Sequence, residues 1–180
     1  MKWVPQVDAQ LSSNIGTGSW QLVVTSAGLA SAPVNVTVNA TEPGLLAPPS
    51  FNIGGKQYVA AQLADGTYAL PAGAVRGVDS RPAKPGETIV IYGIGFGPVV
   101  PTTPAGDIAP ASTRFFESLQ FWFGQTAAQQ VPYAGLAPGS VGLYQFNIVV
   151  PQVSDSDLVP LTFDLGGVHG TQTIYTAVHR

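Results

Sequence analysis

Apolar residues recur at every second position in a series of short stretches, and this period of two predicts strands with one buried face. Ile89 and Ile91 alternate with Val90 and Tyr92, Leu119, Phe121 and Phe123 with Gln120 and Trp122, and Tyr144, Phe146, Ile148 and Val150 with Gln145, Asn147 and Val149. Near one end Trp20, Leu22 and Val24 are followed by Val34, Val36 and Val38; near the other, Val159, Leu161 and Phe163 are followed by Ile174, Thr176 and Val178. Turn residues such as Pro138 and Gly139 separate the stretches. Five to seven short strands joined in this way predict an all-β fold, a β-sandwich.

The two end patterns belong to an internal repeat. VPQV at Val4 to Val7 returns at Val150 to Val153, and each copy continues through an alternating strand, a glycine-containing turn and a second alternating strand. The first copy carries an extra Ser/Asn/Gly-rich loop, and its spacing from glycine to strand differs by about one residue, a slip that a bulge absorbs. A long β-rich stretch precedes only the second copy. Residues 1–43 therefore read as the back half of a truncated module, with its front half upstream. Residues 44–82 read as a proline-rich connector holding one hairpin around Asp65 and Gly66, and residues 83–180 as one complete module.

Composition supports this class and removes others. Only 9% of residues are charged against ~25% in an average soluble domain, while 21 glycines and 16 prolines fit many turns between short strands. Seven basic and ten acidic side chains give a net charge of -3, and the basic ones form no cluster, which argues against nucleic acid. The longest apolar run, Thr88 to Val100, is broken by glycines and is shorter than the ~20 residues of a membrane-spanning helix. The absence of cysteine removes disulfides, thiolate metal sites and cysteine nucleophiles. The first residues lack the apolar stretch of a signal peptide.

The run from Gly86 to Gly97, with Ile89, Ile91, Gly93, Phe96 and Gly97, resembles the first strand of the IPT/TIG group of immunoglobulin-like domains. The wider stretch from Arg81 through Tyr133 to Gln152, YAGLAPGSVGLYQFNIVVPQ, is similar to an uncharacterised C-terminal domain of large secreted proteins in Solibacter-type soil bacteria. That resemblance implies a non-catalytic structural or adhesive module at the end of a larger extracellular or cell-surface protein. Its implied partners are neighbouring modules of that protein; a polysaccharide or another surface protein is a further candidate partner. It supplies no cofactor and no site residues.

The residues themselves nominate few sites. GIGFG, Gly93 to Gly97, follows a strand, but Pro98, Pro101 and Pro104 come next, where a nucleotide-binding loop must open a helix. Bulge or close-approach glycines account for it. Asp155 and Asp157 have the spacing to meet a hard cation such as calcium, with no further ligands evident, and are ordinary loop residues otherwise. His169 and His179 have no serine, carboxylate or second histidine at the local spacing of a triad or metal motif. Asn35 and Asn39 begin glycosylation acceptor patterns on outward strand positions. Trp20 is expected in the core of the first module. Trp122, outward with Gln120, is a stacking platform for a sugar ring, with Gln145 and Asn147 as polar neighbours, or else a contact for the connector or the first module.

Overall fold

The computed structural model of the chain describes residue 7 and residues 9–180, and it is all-β. Val4, Pro5 and Gln6 of the first VPQV lie outside the described residues. Among the described residues the only helical element is the single turn Pro49–Phe51, and no helix is long and apolar enough to cross a membrane.

Two open sheets dominate. The seven-stranded sheet runs Ser80–Arg81, Tyr68–Ala69, Gln62–Leu63, Thr88–Ile94, Tyr144–Val149, Gln130–Leu136, with Gly44–Leu45 also pairing Thr88–Ile94. The five-stranded sheet runs Thr126–Ala127, Leu119–Phe123, Ser156–Leu165, Val168–His169, and Ile174–Val178 also pairs Ser156–Leu165.

The alternation decides what lies between them. Ile89, Ile91, Phe146 and Ile148 of the first sheet and Phe121, Phe123, Leu161 and Phe163 of the second are all buried in one core. Phe121 and Phe146 meet across it with ring centroids 5.2 Å apart, and Phe96 reaches Phe146 at 4.7 Å and Phe163 at 5.1 Å. Each such aromatic pair adds about 0.5–1.5 kcal/mol to the burial of its area.

Residues 44–82 do not form a connector set apart from the module. Leu45, Val59, Ala61, Leu63 and Ala69 are buried in the same core as Ile91 and Phe146. The Val59 amide donates to the Tyr175 carbonyl at 3.0 Å, the Thr176 hydroxyl to the Ala69 carbonyl at 3.0 Å, and the Ala83 amide to the Ala177 carbonyl at 2.9 Å. Gln172 holds Leu45 from both sides, accepting from its amide at 2.6 Å and donating to its carbonyl at 3.0 Å. The expected boundary at residues 82/83 thus falls inside one packed body. Prolines withhold backbone donors and limit this segment to two-residue strands, so its sequence reads as a linker although its apolar side chains are core. The hairpin around Asp65 and Gly66 is present, pairing Gln62 with Tyr68.

Arg81 ties this segment to the start of Thr88–Ile94. Its Nε donates to Asp65 Oδ2 at 2.9 Å, and its Nη1 and Nη2 donate to the two oxygens of Glu87 at 2.9 and 3.0 Å. Asp65 is held down to about 2, first by the Thr67 hydroxyl and amide and then by Arg81, and Glu87 is lowered chiefly by Arg81. A carboxyl depressed in the folded state stabilises it above the unfolded value of about 3.9, and that contribution is lost as pH falls through the folded value. The thermal midpoint is therefore expected to fall between about pH 4 and pH 2. In Asp65→Asn the decline over the same window is shallower, because the Asp65 part is gone while those of Glu87 and Asp164 remain; superimposable pH profiles by circular dichroism would contradict this.

A third, separate sheet pairs Gly18–Leu22 with Val34–Val38. The first of these strands is exposed along its whole length. Trp20, expected in a core, is 45% exposed, and its indole donates to the Gly16 carbonyl at 2.8 Å. A lone hairpin has no second layer in which to bury either face.

Candidate functional site

Antiparallel pairing of Leu119–Phe123 with Ser156–Leu165 sets Gln120 opposite Asp164, Phe121 opposite Phe163 and Trp122 opposite Thr162. Paired residues share a face, so with Phe121 and Phe163 in the core, Gln120, Trp122, Thr162 and Asp164 lie together on the outer side. The tight hairpin from Ser156–Leu165 into Val168–His169 brings His169 opposite Asp164.

Asp164 joins the group into a unit. The Trp122 Nε1–H donates to Asp164 Oδ2 at 2.7 Å, and His169 Nδ1 lies 2.7 Å from Asp164 Oδ1. The bond to His169 and then the bond to Trp122 hold the Asp164 carboxyl below the usual range. Trp122 is half-buried and outside the hydrophobic clusters, while the His169 side chain is 63% exposed. Fixing the indole N–H sets the plane of the ring and leaves polar groups at its border, an arrangement suited to stacking on an apolar sugar face with hydrogen bonds to its hydroxyls.

The four residues nominated from sequence divide between two surfaces. Trp122 and Gln120 lie on the outer face of the five-stranded sheet. Gln145 and Asn147 flank the buried Phe146 on the seven-stranded sheet, and therefore point away from the core on its opposite side. Gln145 Nε2 donates to Asn147 Oδ1 at 2.9 Å. Alternation shows that a residue faces outward but not from which sheet. Asp164 goes unnamed in the sequence reading, which considers His169 only as a triad or metal residue without a local carboxylate; the signal that joins the two is the two-glycine turn at Gly166 and Gly167, which fixes the register of the strands around it.

Asp155 and Asp157 serve different partners: Asp155 Oδ1 accepts from Arg180 Nε at 3.3 Å, and Asp157 Oδ1 lies 3.0 Å from His179 Nε2. Among the described residues no group of three or more histidines and carboxylates is placed to hold a metal ion. In GIGFG, the Glu42 amide donates to the Gly95 carbonyl at 2.9 Å, and a Cβ on Gly93 would come within 2.6 Å of Phe96 and 2.8 Å of the Gly44 carbonyl oxygen. These glycines let the chain before Leu45 cross the strand closely. Asn35 and Asn39 are exposed, and Asn39 donates to Glu42 at 2.6 Å. Two surface depressions, one bordered by Gln152, Ser154 and Arg180 and the other by Arg114, Glu117 and Tyr133, exclude Trp122, Asp164 and His169. Compared with protein-family models, with curated proteins and with solved structures, the chain matches none of them.

Proposed function

We propose that residues 44–180 form an immunoglobulin-like β-sandwich of the IPT/TIG kind, a non-catalytic structural or adhesive module near the C-terminus of a larger secreted or cell-surface bacterial protein. The observation that carries this reading is the single core running from Leu45 to Val178, closed by hydrogen bonds linking Val59, Ala69 and Ala83 to the last strand, Ile174–Val178. A body clamped in this way bears load between its ends and presents its outer strands to a partner. Pulling on the chain ends should release residues 44–180 in one event, adding roughly 45–50 nm of contour length. Separate release of residues 44–82 at lower force would contradict a single load-bearing module.

A second reading, binding of carbohydrate, is favoured by the locking of Trp122 against Asp164 beside Gln120 and His169. Affinity electrophoresis through gels containing soluble polysaccharides tests it. At least one polysaccharide is expected to retard the wild type, and Trp122→Ala to weaken retention about tenfold or more, a loss of about 1.4 kcal/mol. Gln145→Ala, on the other sheet, should be retained like the wild type. Equal mobility of wild type and Trp122→Ala through every gel would leave only the structural reading.

A further inference from the structure

We infer that the hairpin of Gly18–Leu22 and Val34–Val38 is the closing hairpin of a second module. Its apolar face is built to pack on an antiparallel sheet like that of Thr88–Ile94 and Tyr144–Val149, supplied by polypeptide preceding it in the same protein. The inference goes beyond the display role and does not depend on it.

The two hairpins correspond pair by pair. Trp20 faces Val36 and Leu22 faces Val34, as Val159 faces Thr176 and Leu161 faces Ile174. At the tips, Thr25 pairs Ala30 and Ser26 pairs Leu29, as Asp164 pairs His169 and Leu165 pairs Val168. Both tips turn through two residues of positive φ, +49° and +79° at Ala27 and Gly28, +57° and +81° at Gly166 and Gly167. That is the sign pattern of a type I′ hairpin turn. Ala27 is the one described non-glycine residue with positive φ, so the first hairpin keeps the turn even at the cost of a Cβ in the left-handed region. Just beyond each tip an amide returns to the strand, Ser31 to the Val24 carbonyl at 2.9 Å and Gly170 to the Phe163 carbonyl at 2.8 Å. The one-residue difference between the copies falls after this bond, with residues 32–33 in the first matching 171–173 in the second.

Burial is where they part, except at Val38 beside the packed body, which is buried at 9% exposure as its counterpart Val178 is at 0%. Val159, Leu161 and Phe163 are 6%, 0% and 1% exposed, whereas Trp20, Leu22 and Val24 are 45%, 47% and 41% exposed. Ile174 is 3% exposed and its counterpart Val34 is 60% exposed. The second hairpin is covered by Ile89, Ile91, Phe146 and Ile148 of the facing sheet. The first has the same geometry and apolar side chains at the matching positions, and the covered copy displays what covers them. The sheet within this chain cannot serve both, since its inner face is filled by its own hairpin. A contiguous apolar face of this kind on an isolated hairpin marks an interaction surface.

The test compares the 180-residue chain with the same chain extended N-terminally by the roughly 100 residues that precede it in its reading frame, the size of one such module. Both carry Trp3→Phe and Trp122→Phe, and every tryptophan in the added residues is likewise changed to phenylalanine, so that Trp20 is the sole tryptophan of each. Acrylamide quenching of Trp20 is expected to drop severalfold in the extended protein, and amide exchange over residues 18–38 to slow tenfold or more. Leu22→Asp should restore strong quenching there while leaving the melting of the 180-residue chain unchanged. Equal quenching and exchange in both proteins would overturn the inference, as would a reading frame that begins at Met1. Protection of Trp20 in the 180-residue chain that rises with concentration, with a dimer in sedimentation, would assign the face to a second copy instead and overturn it too.

Discussion

Phe146→Ala is expected to lower the free energy of unfolding by about 3–5 kcal/mol, seen as a reduced urea midpoint at nearly unchanged slope. Phe146 is fully buried and stands in the strand that joins the two halves of the larger sheet, opposite Ile91 on one side and Ala134 on the other. Its ring lies 4.7 Å from Phe96, 5.7 Å from Phe115 and 5.2 Å from Phe121. Truncation removes its transfer free energy and leaves a cavity walled by three rings held from two different strands and the loop after Thr88–Ile94, which cannot all move inward. Against a typical total of about 5–15 kcal/mol, the loss is a large fraction of the stability. Phe146→Leu, which leaves most of the volume filled, should lose markedly less. An unchanged midpoint for Phe146→Ala would mean that the two sheets do not depend on this contact.

The parts of the fold legible in the sequence are those long enough to show a period. Ile89 and Ile91, Phe121 and Phe123, Phe146 and Ile148, Leu161 and Phe163 all read as inward from alternation, and all are buried. Leu45, Leu63 and Ala69 are equally buried but sit in two-residue strands, where no period can develop among prolines and glycines. Phe96, named in the sequence only within the resemblance of Gly86 to Gly97, stands between Gly95 and Gly97 where no alternation shows which way it faces, yet it touches both sheets through Phe146 and Phe163. The internal repeat was legible as pattern, but its consequence was misplaced: Trp20 occupies the position of the buried Val159 and is exposed. Periodicity reports which face of a strand is apolar. Whether another layer covers that face depends on the rest of the polypeptide.

The same limit governs the candidate site. Alternation placed Trp122 and Gln120 outward correctly and placed Gln145 and Asn147 outward as well, without revealing that the two pairs belong to opposite surfaces. Asp164 and His169 are separated from Trp122 in sequence and meet it only through strand register. What a single strand encodes is orientation; what a site requires is neighbourhood. That information resides in turns and in pairing, and here the turn at Gly166 and Gly167 carries most of it.

Gly95→Ala should destabilise the protein by at least about 2 kcal/mol, more than the ~1–2 kcal/mol that the left-handed conformation alone imposes on an L-residue. Gly95 has φ +75°, and a Cβ there would overlap the Glu42 carbonyl oxygen, a backbone atom that cannot rotate aside. Relief requires residues 41–44 to lift away. That movement breaks the Glu42 amide bond to the Gly95 carbonyl, undoes the pairing of Gly44 and Leu45 with Ile94 and Gly93, and draws the buried Leu45 from the core. Gly139→Ala is the control: its φ of +76° is nearly the same, but a Cβ there meets nothing within 4 Å. The difference between the two variants isolates the close approach from backbone strain. Amide exchange at residues 42–46 should accelerate in Gly95→Ala and not in Gly139→Ala; equal losses and equal exchange would show that the chain does not need to pass there. The crossing matters beyond its own energy, because residues 40–43 are the link between the exposed hairpin and the packed body. Gly95 fixes where that hairpin leaves the module, and loosening it should release the hairpin's position together with the short strand Gly44–Leu45, while the other strands of both sheets stay paired.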